Sequence, residues 1–172
     1  DLSNTLDIIA TKGVDEFYRG DIARAIAQDM ESNNGFVTLK DLQSYKPKIA
    51  EPLWGSYHGT KIAAVPAPNT GMTVLQLLAL VEPFNLRSMD HNSPEYLHII
   101  TSAMSLAHKD RLEYNGDPDF VQVPVREIVL DSARISQQQE QIRQGISTSG
   151  RNAFESGDTT HVNVLDKQGN IF

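Results

Sequence analysis

The sequence contains no cysteine. That excludes disulfides, zinc–thiolate centres and cysteine nucleophiles, and it leaves the redox compartment open. Basic residues are outnumbered, with 15 Lys and Arg against 22 Asp and Glu, for a net charge of −7. Non-specific nucleic-acid binding needs the opposite balance. No apolar run approaches the roughly 20 residues of a membrane-spanning helix. Aromatic residues make up 7% of the chain, with one tryptophan, Trp54. What is present, 40% apolar residues over 172 positions, suits one domain with a real core.

Apolar spacing divides the chain into an α+β order: helices first, then a hairpin, more helices, a polar run and a terminal strand. Leu2, Leu6 and Ile9 predict a helix over 2–12 that stops at Gly13, and residues 14–20 read as a short aromatic connection. Asp21 is a natural N-cap for a helix striped by Ile22, Ile26 and Met30, which ends at Asn34-Gly35. Thr38 and Asp41 have the spacing of a capping box for a short helix ahead of Pro47. The period then changes, and residues 49–57 and 61–65 predict two strands joined around His58-Gly59-Thr60. A stiff loop, 66–71, leads into a helix capped by Asn69 or Thr70 and carrying Val74, Leu77, Leu78 and Val81 on its apolar face. Ser93-Pro94 starts a long helix with Tyr96, Ile100, Ala103, Met104, Ala107, Arg111 and Tyr114 on one face. Residues 125–143 read as a further helix, and 144–158 as a polar, flexible Ser/Gly-rich run with little to bury.

Four groups of residues could carry chemistry. The histidines His58, His91, His98, His108 and His161 lack the i, i+4 spacing of a helical zinc site, so no metal is expected. The 66–71 loop precedes a helix N-terminus and could attract an anion, although it has neither the glycines nor the lysine of a phosphate loop. Arg111 on an apolar stripe needs a partner, for which Asp110 and Asp117 are nearest; a substrate-carboxylate role is the alternative. Thr159 opens the terminal strand directly after the polar run. Read plainly it is a strand threonine. Cut free at its N-terminus, it would hold a hydroxyl nucleophile and an amine base in one residue.

Several stretches, in order, resemble the gamma-glutamyltranspeptidase family. They are Phe17-Tyr18-Arg19-Gly20-Asp21-Ile22-Ala23, Asp41-Leu42-Gln43-Ser44-Tyr45, Glu51-Pro52-Leu53, Ala107-His108-Lys109-Asp110-Arg111 and Gly116-Asp117-Pro118-Asp119-Phe120-Val121. Thr159-Thr160-His161, followed by Val164-Leu165-Asp166-Lys167-Gln168-Gly169-Asn170, resembles the start of the family's small subunit. The resemblance implies an N-terminal nucleophile hydrolase with a four-layer αββα fold, made as one precursor and cut in two. It implies that 1–158 is the C-terminal part of the large subunit, with a processing loop over about 144–158, and that 159–172 begins the small subunit. Cleavage would fall between Asp158 and Thr159, and the freed Thr159 would be acylated by gamma-glutamyl amides and release the acyl group to water or an amino acceptor. Alternatives are an acylase for glutaryl or cephalosporin side chains and a binding homologue without catalysis.

The partners implied are a gamma-glutamyl small molecule or peptide and the remainder of the protein's own two subunits. No cofactor, nucleic acid or membrane segment is implied. A periplasmic or secreted location fits the resemblance, with a cytoplasmic one left open. Substrate contacts are expected outside these residues, so this stretch alone should have no turnover. One departure stands out: the family's Pro-Pro-Pro-Ser-Ser-Gly-Gly element reads Pro66-Ala67-Pro68-Asn69-Thr70-Gly71-Met72.

Overall fold

A computed structural model describes residues 2–145, Val164 and 166–169. The chain divides into two compact units, Asp1–Ala50 and Glu51–Phe172. The described residues are mostly helical with one antiparallel hairpin.

In the first unit, α1 (Leu2–Lys12) ends at Gly13, whose φ of 88° is left-handed and whose N–H donates to the Ile9 carbonyl at 2.9 Å. Residues expected as a connection form a short helix instead, α2 (Val14–Tyr18). Asp15 and Glu16 in its first turn complement the helix dipole. The Tyr18 ring stacks on Tyr45, with centroids 5.3 Å apart, and so ties α2 to the end of α4 (Leu39–Ser44). Helix α3 (Asp21–Ser32) starts one residue earlier than Asp21 capping requires: Gly20 is the N-cap. Glu16 supplies the acceptor, its Oε1 taking the Asp21 N–H at 3.0 Å. The Thr38–Asp41 capping box forms as expected, with Thr38 N–H donating to Asp41 Oδ2 at 2.8 Å and Asp41 N–H donating to Thr38 Oγ1 at 3.2 Å. Ala23 is the one fully buried apolar residue described in this unit.

The second unit begins with the hairpin β1 (Leu53–Tyr57) and β2 (Thr60–Ala64), in register Leu53↔Ala64 to Tyr57↔Thr60. His58 and Gly59 both have positive φ, 46° and 78°, the handedness a two-residue hairpin turn requires. Pairing starts at Leu53 and not at residue 49. Pro52 has no N–H for a ladder, and Ile49 is fully exposed.

Helices α5 (Gly71–Val81), α6 (Pro94–Tyr114) and α7 (Ser132–Arg143) enclose the main core of Leu80, Val81, Ile99, Ala103, Leu106, Ile135 and Ile142. A smaller cluster of Met72, Val125 and Val129 packs against Leu53 and Tyr114. Helix α5 buries Met72, Leu75, Gln76, Leu80 and Val81, and Val74, placed inward by the sequence, is exposed. Ser93 caps α6 as expected, its Oγ accepting the Tyr96 N–H at 3.2 Å, with Pro94 in the first turn. The face it buries is Ile99, Ala103, Leu106, Ala107 and Asp110. That shares only Ala103 and Ala107 with the expected stripe, and Met104 is exposed. Apolar residues surround this helix, so spacing alone permits two registers.

Residues 125–143 are not one helix. A single wide turn, Val125–Val129, closes with the Leu130 N–H on the Val125 carbonyl at 2.7 Å. Asp131 then starts α7, its Oδ1 accepting the Arg134 N–H at 2.9 Å.

Two outcomes are expected of these elements. A Cβ on Gly71 would lie 2.0 Å from the Val65 carbonyl oxygen, a backbone atom. Gly71→Ala should lower unfolding stability by about 1–3 kcal/mol, seen as a reduced urea midpoint; an unchanged midpoint would contradict this contact. The Asp41 carboxyl is held below its ordinary 3.8 by the Thr38 hydroxyl and, second, by the Thr38 N–H. A depressed carboxyl stabilises above its unfolded-state value, and the effect is lost as pH falls through the depressed one. Titration of Asp41 by NMR should therefore give a midpoint under 3.8; a midpoint at or above it would contradict the cap.

Candidate functional site

Thr159 and Asp158, with Thr160 and His161, lie outside the described residues, as does the strand expected there. The segments on either side are described. Upstream, α7 closes with the Gly145 N–H on the Ile142 carbonyl at 3.1 Å and Gly145 at a φ of 70°. Downstream, the turn expected after the strand is present at 166–169. Asp166 Oδ1 accepts the Gln168 N–H at 2.9 Å, and its carbonyl accepts the Gly169 N–H at 3.2 Å.

Helix α7 is glutamine-rich and buries few apolar side chains, Ile135 and Ile142. Hydrogen bonds hold it instead. The Asp110 carboxylate on α6 is 1% exposed. Its Oδ1 accepts from Arg134 Nη2 at 2.7 Å, and its Oδ2 accepts from Gln76 Nε2 at 2.6 Å and Gln138 Nε2 at 2.9 Å. Gln76 Nε2 also donates to Gln138 Oε1 at 3.1 Å. Both glutamines are buried. One carboxylate thus joins α5, α6 and α7 with charge-assisted bonds. The Arg134 pKa is raised above its ordinary value, first by its hydrogen bond to Asp110. Because both carboxylate oxygens are engaged by donors, Asp110 is an anchor and not a free proton acceptor.

This corrects the expected pairing. Asp110 is the buried acid, but its partner is Arg134, and Arg111 is exposed. Asp117 organises the turn after α6: Oδ1 accepts the Asp119 N–H at 3.0 Å, and the carbonyl accepts the Phe120 and Val121 N–H groups. Two more bonds fix α7. Gln139 Nε2 donates to the Ala79 carbonyl at 2.9 Å, and His98 Nε2 lies 2.9 Å from the Ile142 carbonyl. A carbonyl only accepts, so His98 carries its proton on Nε2.

The 66–71 loop is held from across the unit. Asn115 Nδ2 donates to the Pro68 carbonyl at 2.9 Å and reaches the Asn69 carbonyl at 3.4 Å. Thr70 occupies the N-cap of α5, but neither it nor Asn69 makes the expected side-chain cap. Met72, which departs from the family element, is fully buried against Val125 and Val129. Among the described residues no three His, Asp or Glu side chains come together as a metal cluster would.

Asp110→Ala strands one half-buried cation and two buried amides, and is expected to destabilise by about 3 kcal/mol. Arg111→Ala, at an exposed position, should stay within about 0.5 kcal/mol. Urea unfolding of both variants checks this, and the reverse order would restore Arg111 as the partner.

Comparison with known proteins places the chain. A family model described as Gamma-glutamyltranspeptidase matches residues 1–172. The glutathione hydrolase proenzyme of Escherichia coli K12 is 38% identical over 98% of this chain, which covers 30% of that protein. Acylase ACY 1 proenzyme of Pseudomonas sp. strain SE83 is 34% identical over 99% of the chain and 31% of the relative. Among solved structures, gamma-glutamyltranspeptidase from Pseudomonas nitroreducens, complexed with L-DON, superposes with a TM-score of 0.75 at 30% identity. It covers 87% of this chain and 45% of that one. Cephalosporin acylase from Bacillus halodurans gives 0.69 at 28% identity, covering 80% and 25%. The chain spans about a third of the length of these curated relatives. A match over every residue, with relatives aligned along almost the whole chain, makes it a member of the gamma-glutamyltranspeptidase family.

Proposed function

We propose that this chain belongs to a self-processing hydrolase and transferase of gamma-glutamyl amides, with Thr159 as its nucleophile. The observation that carries the reading is the family match across residues 1–172, a span that includes Thr159-Thr160-His161. On this reading 1–158 is the end of the large subunit and 159–172 the start of the small one. The gamma-glutamyl substrate and the rest of the two subunits are its partners.

The chemistry follows from a threonine cut free at its own N-terminus. In the precursor the Thr159 hydroxyl attacks the Asp158 carbonyl, the acyl group moves from nitrogen to oxygen, and water hydrolyses the ester. That leaves Thr159 with a free α-amine, whose ordinary pKa of about 7.7–8.0 lets it accept the hydroxyl proton near neutral pH. Attack on a gamma-glutamyl amide then forms an ester on Thr159 and releases the amine. Water or a second amine resolves the ester and returns the proton.

A second reading is favoured by the relatives that are acylases. The Pseudomonas acylase is 34% identical, close to the 38% of the E. coli glutathione hydrolase. The reaction is the same acyl transfer, and only the acyl group accepted differs.

In the full-length protein, Thr159→Ala should abolish cleavage at Asp158–Thr159, so intact-mass measurement should find one uncut chain. A variant that still matures at that bond would overturn Thr159 as nucleophile. For the cleaved wild-type protein, hydrolysis of gamma-glutamyl anilide should exceed that of glutaryl anilide. The reverse preference would select the acylase.

A further inference from the structure

Asn-Gly occurs twice in the chain, at Asn34-Gly35 and Asn115-Gly116. This dipeptide is the one most open to deamidation, because glycine has no Cβ to keep its backbone nitrogen from the asparagine Cγ. The two sites are held very differently. We infer that Asn34 is a site of spontaneous deamidation in the native protein and that Asn115 is protected.

Asn34 is exposed, at the C-terminal end of α3, with a left-handed φ of 56°. Its side chain bonds to no described residue, whereas its neighbour Asn33 is held by the Asp29 carbonyl at 2.9 Å and the Asp29 carboxylate at 3.1 Å. One close hydrogen bond restrains the attacking group: the Gly35 N–H donates to the Met30 carbonyl at 2.7 Å. The bond spans five residues at a solvent-facing helix end. Releasing it is local fraying, the least costly opening a folded chain has.

Asn115 presents the opposite case. Its amide donates to the Pro68 and Asn69 carbonyls, 47 and 46 positions away, and its Oδ1 is buried. Freeing that amide means separating the end of α6 from the loop before α5. This is an opening of the unit and not of one turn.

The step needs only water and base. The Gly35 nitrogen loses its proton and attacks Asn34 Cγ, and a five-membered imide closes as the Nδ2 group leaves as ammonia. Water then opens either imide carbonyl to give aspartate or β-linked isoaspartate at that position. Aspartate adds a negative charge at the C-terminal end of α3, where the helix dipole disfavours it. Isoaspartate adds a methylene to the backbone and moves Gly35 out of register with the Met30 carbonyl.

The test is peptide mapping by mass spectrometry of the full-length protein, incubated at mildly alkaline pH with and without urea. In native protein Asn34 should deamidate about tenfold or more faster than Asn115, the ratio expected when one site opens locally and the other with its unit. In urea the two rates should converge, since both share the same dipeptide. Native deamidation of Asn115 at least as fast as that of Asn34 would overturn the inference. So would an Asn34 that stays intact in native protein while it reacts in urea.

Discussion

A carboxylate buried to 1% exposure cannot stand without donors, and the second unit is arranged to supply them to Asp110. Arg134 and Gln138 come from α7 and Gln76 from α5, with all three contacts at 2.9 Å or shorter. This requirement settles the register of α6, a helix with apolar residues around most of its circumference. It also explains how a helix as polar as α7 packs at all. Its one buried glutamine, Gln138, has specific partners in Asp110 and Gln76, and two isoleucines supply the apolar contact. Such a network contributes specificity of arrangement more than net stability, since removing charges from water offsets much of the attraction.

Local signals in the sequence were legible where the chemistry is local. Ser93-Pro94, the Thr38–Asp41 box, the left-handed exits at Gly13 and Asn34, and the His58-Gly59 turn each involve groups within five residues, and each forms. The break between Val129 and Ser132 also had a local signal, Asp131-Ser132 before an apolar residue, hidden by the continuous helical periodicity on either side. The partner of Asp110 had none. Arg134 is 24 positions away, and an adjacent arginine offered an apparent answer. Spacing identified an acid that must be paired but not which cation would reach it. The same applies to Asn115 and the 66–71 loop, joined only by the fold.

The candidate nucleophile is proposed on different grounds. Nothing in the packing of the described residues singles out Thr159; a free hydroxyl beside a free amine is a property of one residue once the chain is cut. The family order of motifs around it is what makes this threonine a candidate nucleophile. The departures, Asn69, Thr70 and Met72 in the proline-rich element, have a packing counterpart in a fully buried Met72 and an asparagine that pins the loop. They concern how α5 is seated.

The central claim is that Thr159, freed by cleavage, carries the acyl group. The most direct measurement is peptide mapping of acid-quenched full-length protein during turnover of a slowly released gamma-glutamyl substrate. The account predicts an added gamma-glutamyl mass on a peptide whose first residue is Thr159. An active protein whose adduct sits on another residue, or whose Asp158–Thr159 bond is intact, would contradict it.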